Sequence, residues 1–279
     1  MKNNIMNVLK GMIIGVANII PGVSGGTLMI ILGIYEDVIN TISHFFSNLK
    51  KNILFILPLG IGMIISILLL SKVISFSLEK YPFATTIFFI GLIIGGLPLL
   101  WKRASASKNK FSNWLVFLIT FGIVLLFTFI KSNDAVVSLT NLDLLGYFKL
   151  FIIGIISAAT MVIPGISGSF VLMLLGYYEP IVNTIRDLTK FSNLGNNILI
   201  LIPFGIGIII GIVLVAKVLE FLFKKYPVKT NYGVLGFVIA SIISIVIPIL
   251  NVHPSILEVF IAFILFILGG IVSYKLGEK

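Results

Sequence analysis

The sequence predicts an all-α polytopic membrane protein, built as an inverted repeat with two re-entrant helical hairpins and about six full transmembrane spans. Three observations carry that prediction. First, 58% of the 279 residues are hydrophobic, 11% are charged, and the mean hydropathy is +1.17. A soluble domain of this size cannot bury that much apolar surface, so lipid must be its solvent. Second, a word rich in glycine and serine breaks oily sequence twice. It reads IIPGVSGGTLMIILGIYE from Ile19 to Glu36 and VIPGISGSFVLMLLGYYE from Val162 to Glu179. Third, both words sit inside a long internal duplication.

The spans follow from length. Apolar runs at 53–76, 83–101, 113–131, 196–223, 229–249 and 255–275 each approach the roughly 20 residues that a bilayer core requires. Two further apolar regions, 8–35 and 147–178, contain the broken words. After each word comes a mixed segment, 36–51 and 179–191, expected as an amphipathic helix at the interface or against the bundle. The start of the chain has one lysine before apolar residues and no small-residue cleavage site, and is expected to remain in the mature protein.

The duplication is read from spacing. Pro21 matches Pro164, and 164 − 21 = 143. The same offset pairs Gly11 with Gly154, Ser24 with Ser167, Gly33 with Gly176, Tyr35 with Tyr178 and Glu36 with Glu179. After a two-residue insertion the offset is 145, pairing LPLGIG at Leu57 with IPFGIG at Ile202 and KYP at Lys80 with KYP at Lys225. One membrane domain, 1–279, therefore divides into repeat one at 8–101, a linking span at 113–131, repeat two at 147–249 and a final span at 255–275.

If each broken region enters and leaves on one side, the positive-inside rule tests the topology. With both termini cytoplasmic, the cytoplasmic pieces hold 13 Lys and Arg residues and the external pieces hold 5. This arrangement brings the second copy in from the opposite face. Inverted repeats give a carrier two packings of similar energy, and discontinuous helices near the midplane are where such carriers hold substrate.

The breaks can hold an anion. Pro21 lacks an N–H, and Gly22, Gly25 and Gly26 permit close backbone approach. A helix can end near Ile20 and restart at Ser24 as N-cap, leaving unsatisfied N–H groups directed into the break. The candidate binding residues are Asn18, Pro21, Gly22, Ser24, Gly25, Gly26, Thr27, Pro164, Gly165, Ser167, Gly168 and Ser169, with Lys72 and Lys217. Structural alternatives stand beside these. The breaks can be hinges with glycines for close packing. Lys72 and Lys217 can snorkel to an interface, and Glu220 can pair with Lys217 one turn away. Glu36 and Glu179 are candidates for proton or ion coupling, or for helix ends in water.

Several classes are excluded or disfavoured. The +10 net charge sits in gaps between spans, which argues for membrane orientation and against a nucleic-acid partner. With no cysteine and only His44 and His253, no metal site or cofactor is expected. No GxxxxGK[ST] loop is present, so any driving force should be a gradient.

On the residues GVANIIPGVSGGTLMIILGIYE, their second-half echo, and the LPLGIG and IPFGIG pair, the chain resembles the bacterial polyprenyl-phosphate transporters, the PopT-type undecaprenyl-phosphate translocases. The resemblance covers nearly the whole chain. It implies a non-enzymatic flippase in the bacterial cytoplasmic membrane that returns undecaprenyl phosphate to the inner leaflet for envelope synthesis. Its implied partners are polyprenyl phosphate, membrane lipids and a coupling proton or sodium ion. Two alternatives remain at this level. One is a carrier of a small soluble anion. The other is an undecaprenyl-pyrophosphate phosphatase, whose family word resembles PG-x-S-R-S-G. Here Gly25 and Gly168 stand where that arginine would be, and no EExxxE cluster occurs.

Overall fold

The broken words divide what would have been two long apolar helices, and the rest of the chain follows from where those breaks fall. In a computed structural model, the described residues are 2–19, 24–106, 110–130, 137–140, 142–189 and 193–277. Among them all regular structure is helical. Repeat one supplies α1 (Lys2–Ile19), α2 (Gly25–Ile31), α3 (Tyr35–Ser43), α4 (Leu49–Lys80) and α5 (Pro82–Ala104), followed by the linking span α6 (Phe111–Phe129). Repeat two supplies α7 (Leu144–Val162), α8 (Gly168–Leu174), α9 (Tyr178–Thr189), α10 (Leu194–Lys225) and α11 (Pro227–Val246), followed by α12 (Ile256–Gly277).

The copies agree in detail. Gly33 and Gly176 take positive φ, 69° and 74°, where the chain turns out of α2 and α8. Only glycine adopts this conformation without strain. Tyr81 and Tyr226 end α4 and α10 with nearly identical backbone angles, and a proline at the first position of α5 and α11 follows each. Proline suits that position because its missing N–H would have had no partner there.

Glycines set the helix pairs. A Cβ on Gly11 would overlap the Leu59 carbonyl, and one on Gly62 the Val8 carbonyl. Further along, Gly15 lies against Met63 and Ser66, so α1 and α4 run side by side in the same direction. The second half repeats the arrangement, with Gly154 on Phe204, Gly207 on Phe151 and Gly211 on Ile155. The remaining spans pair across the halves. Gly91 meets Phe266 and Gly95 meets Gly270, making α5 and α12 parallel neighbours. Gly236 meets Phe117, and Thr128 bonds Ser244, making α6 and α11 parallel neighbours. α11 starts beside the end of α5, where Asn231 and Val234 share a small cavity with Leu100 and Arg103.

Both broken regions turn back. The Lys10 ammonium, 4% exposed, donates to the Leu32 carbonyl at 2.8 Å, so the end of α2 lies back alongside the middle of α1. In repeat two, the Val137 N–H donates to the Gly176 carbonyl at 3.1 Å, returning the end of α8 to the approach to α7. α2 and α3 then meet at a 115° bend.

One sequence expectation needs correction. Segment 36–51 is not one amphipathic helix: α3 stops at Ser43, and α4 has already begun at Leu49. The Asn52 amide donates to the carbonyls of His44 and Phe45, satisfying backbone that a continued helix would have paired. Among the described residues, seven helices are long and apolar enough to cross a membrane, the six expected spans and one arm of a broken region. The seventh is α7, whose 19 residues reach about 28 Å at 1.5 Å per residue.

The main core joins both halves, with Leu28, Ile31 and Tyr35 packed together with Phe89, Ile93, Val234 and Val238. The outward faces are apolar, as at Leu68, Leu126 and Ile256. That surface suits lipid contact. The halves differ in closure. Six of the seven α2 residues are buried, against three of the seven in α8. α3 packs on the C-terminal part of α10, with Tyr35 edge-on to Phe223, while α9 has no comparable packing on α4 among the described residues.

Candidate functional site

The two breaks meet. The Gly165 N–H donates to Thr27 Oγ1 at 3.0 Å, across 138 positions of sequence. A Cβ on Gly26 would lie 3.1 Å from the Val162 carbonyl oxygen and 3.4 Å from Pro164 Cα. The Tyr35 hydroxyl donates to the same Val162 carbonyl at 3.0 Å. That carbonyl lies at the end of α7, where an intrahelical partner is missing. Repeat one thus completes the backbone bonding of repeat two at the point where each helix is interrupted. Gly165 itself has φ of 80°, which a side chain would strain.

Ser24 and Ser167 both occupy the N-cap position in extended conformation, at φ −93° and −92°. Neither side chain makes a cap bond, contrary to the expectation for Ser24. The Ser167 hydroxyl is shared with Ser169 at 2.8 Å instead. Ser24 is 4% exposed, and its hydroxyl has no partner among the described residues. A buried unpaired hydroxyl is costly.

The other expected residues divide. Gly25, Gly26, Thr27, Pro164 and Gly168 are buried at the junction. Pro21 and Gly22 lie outside the described residues, as does the side chain of Asn18. Lys72 and Lys217 are exposed on α4 and α10, and no hydrogen bond or ion pair holds either among the described residues. Glu220 does not pair with Lys217. It faces Lys224 one turn on and His44 at 3.4 Å from α3, because α3 packs across the end of α10 and selects that face. Glu36 and Glu179 start α3 and α9 rather than ending a half-helix. Carboxylates are favourable in that first turn. Glu36 accepts from Arg103 at 2.9 Å, and both side chains remain partly open to solvent. Such an exposed pair is worth under about 1 kcal/mol.

Three contributors escaped sequence reading: Lys10, Tyr35 and Arg103. Lys10 carried a signal, as a lone cation within an apolar face. Tyr35 stood out only as a position repeated at Tyr178, and the partners of Tyr35 and Arg103 are set by tertiary packing.

A specific result is expected at the junction. Thr27→Val keeps the shape but removes the acceptor for the Gly165 N–H. It should cost about 1–3 kcal/mol, seen as a lower melting temperature of the detergent-solubilised protein. Thr27→Ser should restore most of the loss. Equal melting of Thr27→Val and the parent would show that the bond contributes nothing.

Comparison with known proteins places the chain in a family. Residues 14–258 match the family described as VCA0040-like, undecaprenyl phosphate translocase-like. The chain is 33% identical over 277 residues to the polyprenyl-phosphate transporter of Staphylococcus aureus (strain NCTC 8325 / PS 47), covering 98% of this chain and 96% of the relative. It is 29% identical over 256 residues to the polyprenyl-phosphate transporter of Vibrio cholerae serotype O1 (strain ATCC 39315 / El Tor Inaba N16961), covering 86% and 77%. No solved structure matches it. With its apolar helices and paired breaks, the chain is a multi-pass membrane protein that belongs to the undecaprenyl phosphate translocase-like family.

Proposed function

We propose that this protein is a flippase that returns undecaprenyl phosphate across the bacterial cytoplasmic membrane, recycling the lipid carrier for envelope synthesis. The observation that carries the reading is the junction of the two breaks, tied by Thr27 to Gly165 and by Tyr35 to Val162. The names of the relatives point to the same lipid. A phosphate headgroup loses much hydration on crossing, and backbone N–H groups with Ser24, Thr27, Ser167 and Ser169 can replace it. The apolar tail stays in lipid.

Inversion of the repeats is supported by direction. α11 is the sequence equivalent of α5, yet it begins where α5 ends. Re-entrance is supported by the returns at Leu32 and Gly176 and by the parallel course of α1 with α4. Lysine placement then sets both termini in the cytoplasm. Rocking of the halves moves the headgroup between leaflets, with a proton or sodium ion at Glu36 or Glu179 as the coupling partner.

The test is reconstitution into liposomes with polyprenyl phosphate, following exposure of the phosphate on each leaflet. Faster exchange than in empty liposomes is expected, and no acceleration by folded protein would reject the reading. Exchange of inorganic phosphate alone would instead indicate a carrier of a soluble anion.

A further inference from the structure

Away from the junction lies a second place suited to an anion. α5 and α12 run in parallel and end together, and a cleft of about 660 Å³ opens between those ends and the turn after α2. Gly33, Pro98 and Leu99 form part of its wall. Lys102 and Arg103 line it, and none of its lining residues is acidic. Lys102 has no ion-pair partner among the described residues. Ser273 also lines the cleft; it is fully buried, and its hydroxyl has no partner among the described residues. The charged side chains that line the cleft are thus both cationic. Arg103 also reaches away from this cleft to Glu36 at 2.9 Å, on the hairpin of repeat one. Cations in the last turn of a span commonly anchor it. Anchoring accounts neither for the cleft and its unpaired buried hydroxyl nor for the reach of Arg103 to the hairpin.

We propose that this cleft is a second binding site for a phosphate monoester headgroup, where bound phosphate competes with Glu36 for Arg103 and so loosens the first hairpin. The inference rests on the transport reading and adds a place where the headgroup waits beside the hairpin. A phosphate monoester supplies the acceptor that Lys102 lacks and offers Arg103 an alternative to Glu36, and arginine binds phosphate through paired donors. The apolar wall at Pro98 and Leu99 suits the first isoprene units of the tail.

The test uses the full chain in detergent and farnesyl phosphate carrying a photoreactive group on its first isoprene. Labelled peptides are mapped with unlabelled farnesyl phosphate, farnesol or inorganic phosphate as competitors. Labelling is expected within 98–103 and 270–277, competed by farnesyl phosphate but not by farnesol. The double variant Lys102→Gln/Arg103→Gln should reduce it about ten-fold. Glu36→Gln should raise it about three-fold, as release from an exposed ion pair predicts. A purely structural pair would make Arg103→Gln and Glu36→Gln change labelling in the same direction, which overturns the proposal. Lys102→Arg should retain labelling, and melting temperatures confirm that each variant is folded. Equal competition by inorganic phosphate would assign the cleft to the free ion and overturn the lipid assignment. Translocation is measured in parallel on the parent protein. Transport without cleft labelling would reject this site alone, whereas no transport by folded protein would reject the flippase reading beneath it.

Discussion

A single added methyl group at Gly62 or Gly207 should sharply lower the melting temperature, while the same group at Gly60 or Gly205 should not. The four positions lie two residues apart in α4 and α10, and each pair is related by the 145-residue offset. They share helix, depth and composition, but not surroundings. A Cβ at Gly62 would overlap the Val8 carbonyl, and one at Gly207 the Phe151 carbonyl. Backbone cannot rotate out of the way as a side chain can, so α1 must separate from α4, or α7 from α10. Overpacking of this kind costs about 1–3 kcal/mol, and more when two helices must part. At Gly60 and Gly205 no atom lies within 4 Å of the added group. There the change to alanine should be neutral or slightly stabilising, because glycine is the poorer helix former by about 1 kcal/mol. Thermal unfolding of Gly62→Ala, Gly207→Ala, Gly60→Ala and Gly205→Ala followed by tryptophan fluorescence decides it. Equal shifts at all four positions would mean that the close crossings do not hold the broken arms to their long partners. A loss at Gly62 and Gly207 together would show that both halves use the same device.

How much of this was legible beforehand depends on what kind of information each feature carries. Span positions were legible because bilayer thickness fixes helix length, and α5 and α12 fall within about three residues of their apolar runs. The internal pairing was legible because proline and glycine punctuate backbone at fixed positions, as at Gly33 and Gly176. The junction was legible only in composition. Thr27 was a candidate by its hydroxyl, yet its partner proved to be the Gly165 backbone of the other half. Periodicity contains no term for such a contact. The same holds for Glu220: spacing allows Lys217 or Lys224, and the position of α3 decides. Closure was illegible for a different reason. GGTLMII in α2 and GSFVLML in α8 are both apolar half-helices, yet six residues of the first and three of the second are buried, and hydropathy does not say which half closes.

That inequality leads to the result expected to be largest. Fixing α3 to α10 should stop transport completely, and releasing it should restore transport. His44 lies 3.4 Å from Glu220, and Tyr35 sits edge-on to Phe223 one helical segment away. This face joins repeat one to repeat two. In the proposed rocking of opposed halves this face opens on one stroke while its counterpart closes, so both faces cannot stay sealed during a cycle. The chain contains no cysteine, which leaves a clean background for His44→Cys/Glu220→Cys and a short thiol-reactive crosslinker. Each single variant removes one partner of an interface pair and should lower transport by a few-fold at most, since ion pairs near water contribute under about 1 kcal/mol. The crosslinked double variant should fall to the rate of empty liposomes, and a cleavable linker should bring the rate back on reduction. Recovery separates a locked carrier from a damaged one. Crosslinked protein that still moves polyprenyl phosphate at the parent rate would exclude rocking of α3 against α10. Headgroup passage would then have to proceed with this face closed, along a path through the second broken region, where α8 is less buried and, among the described residues, α9 lacks comparable packing on α4.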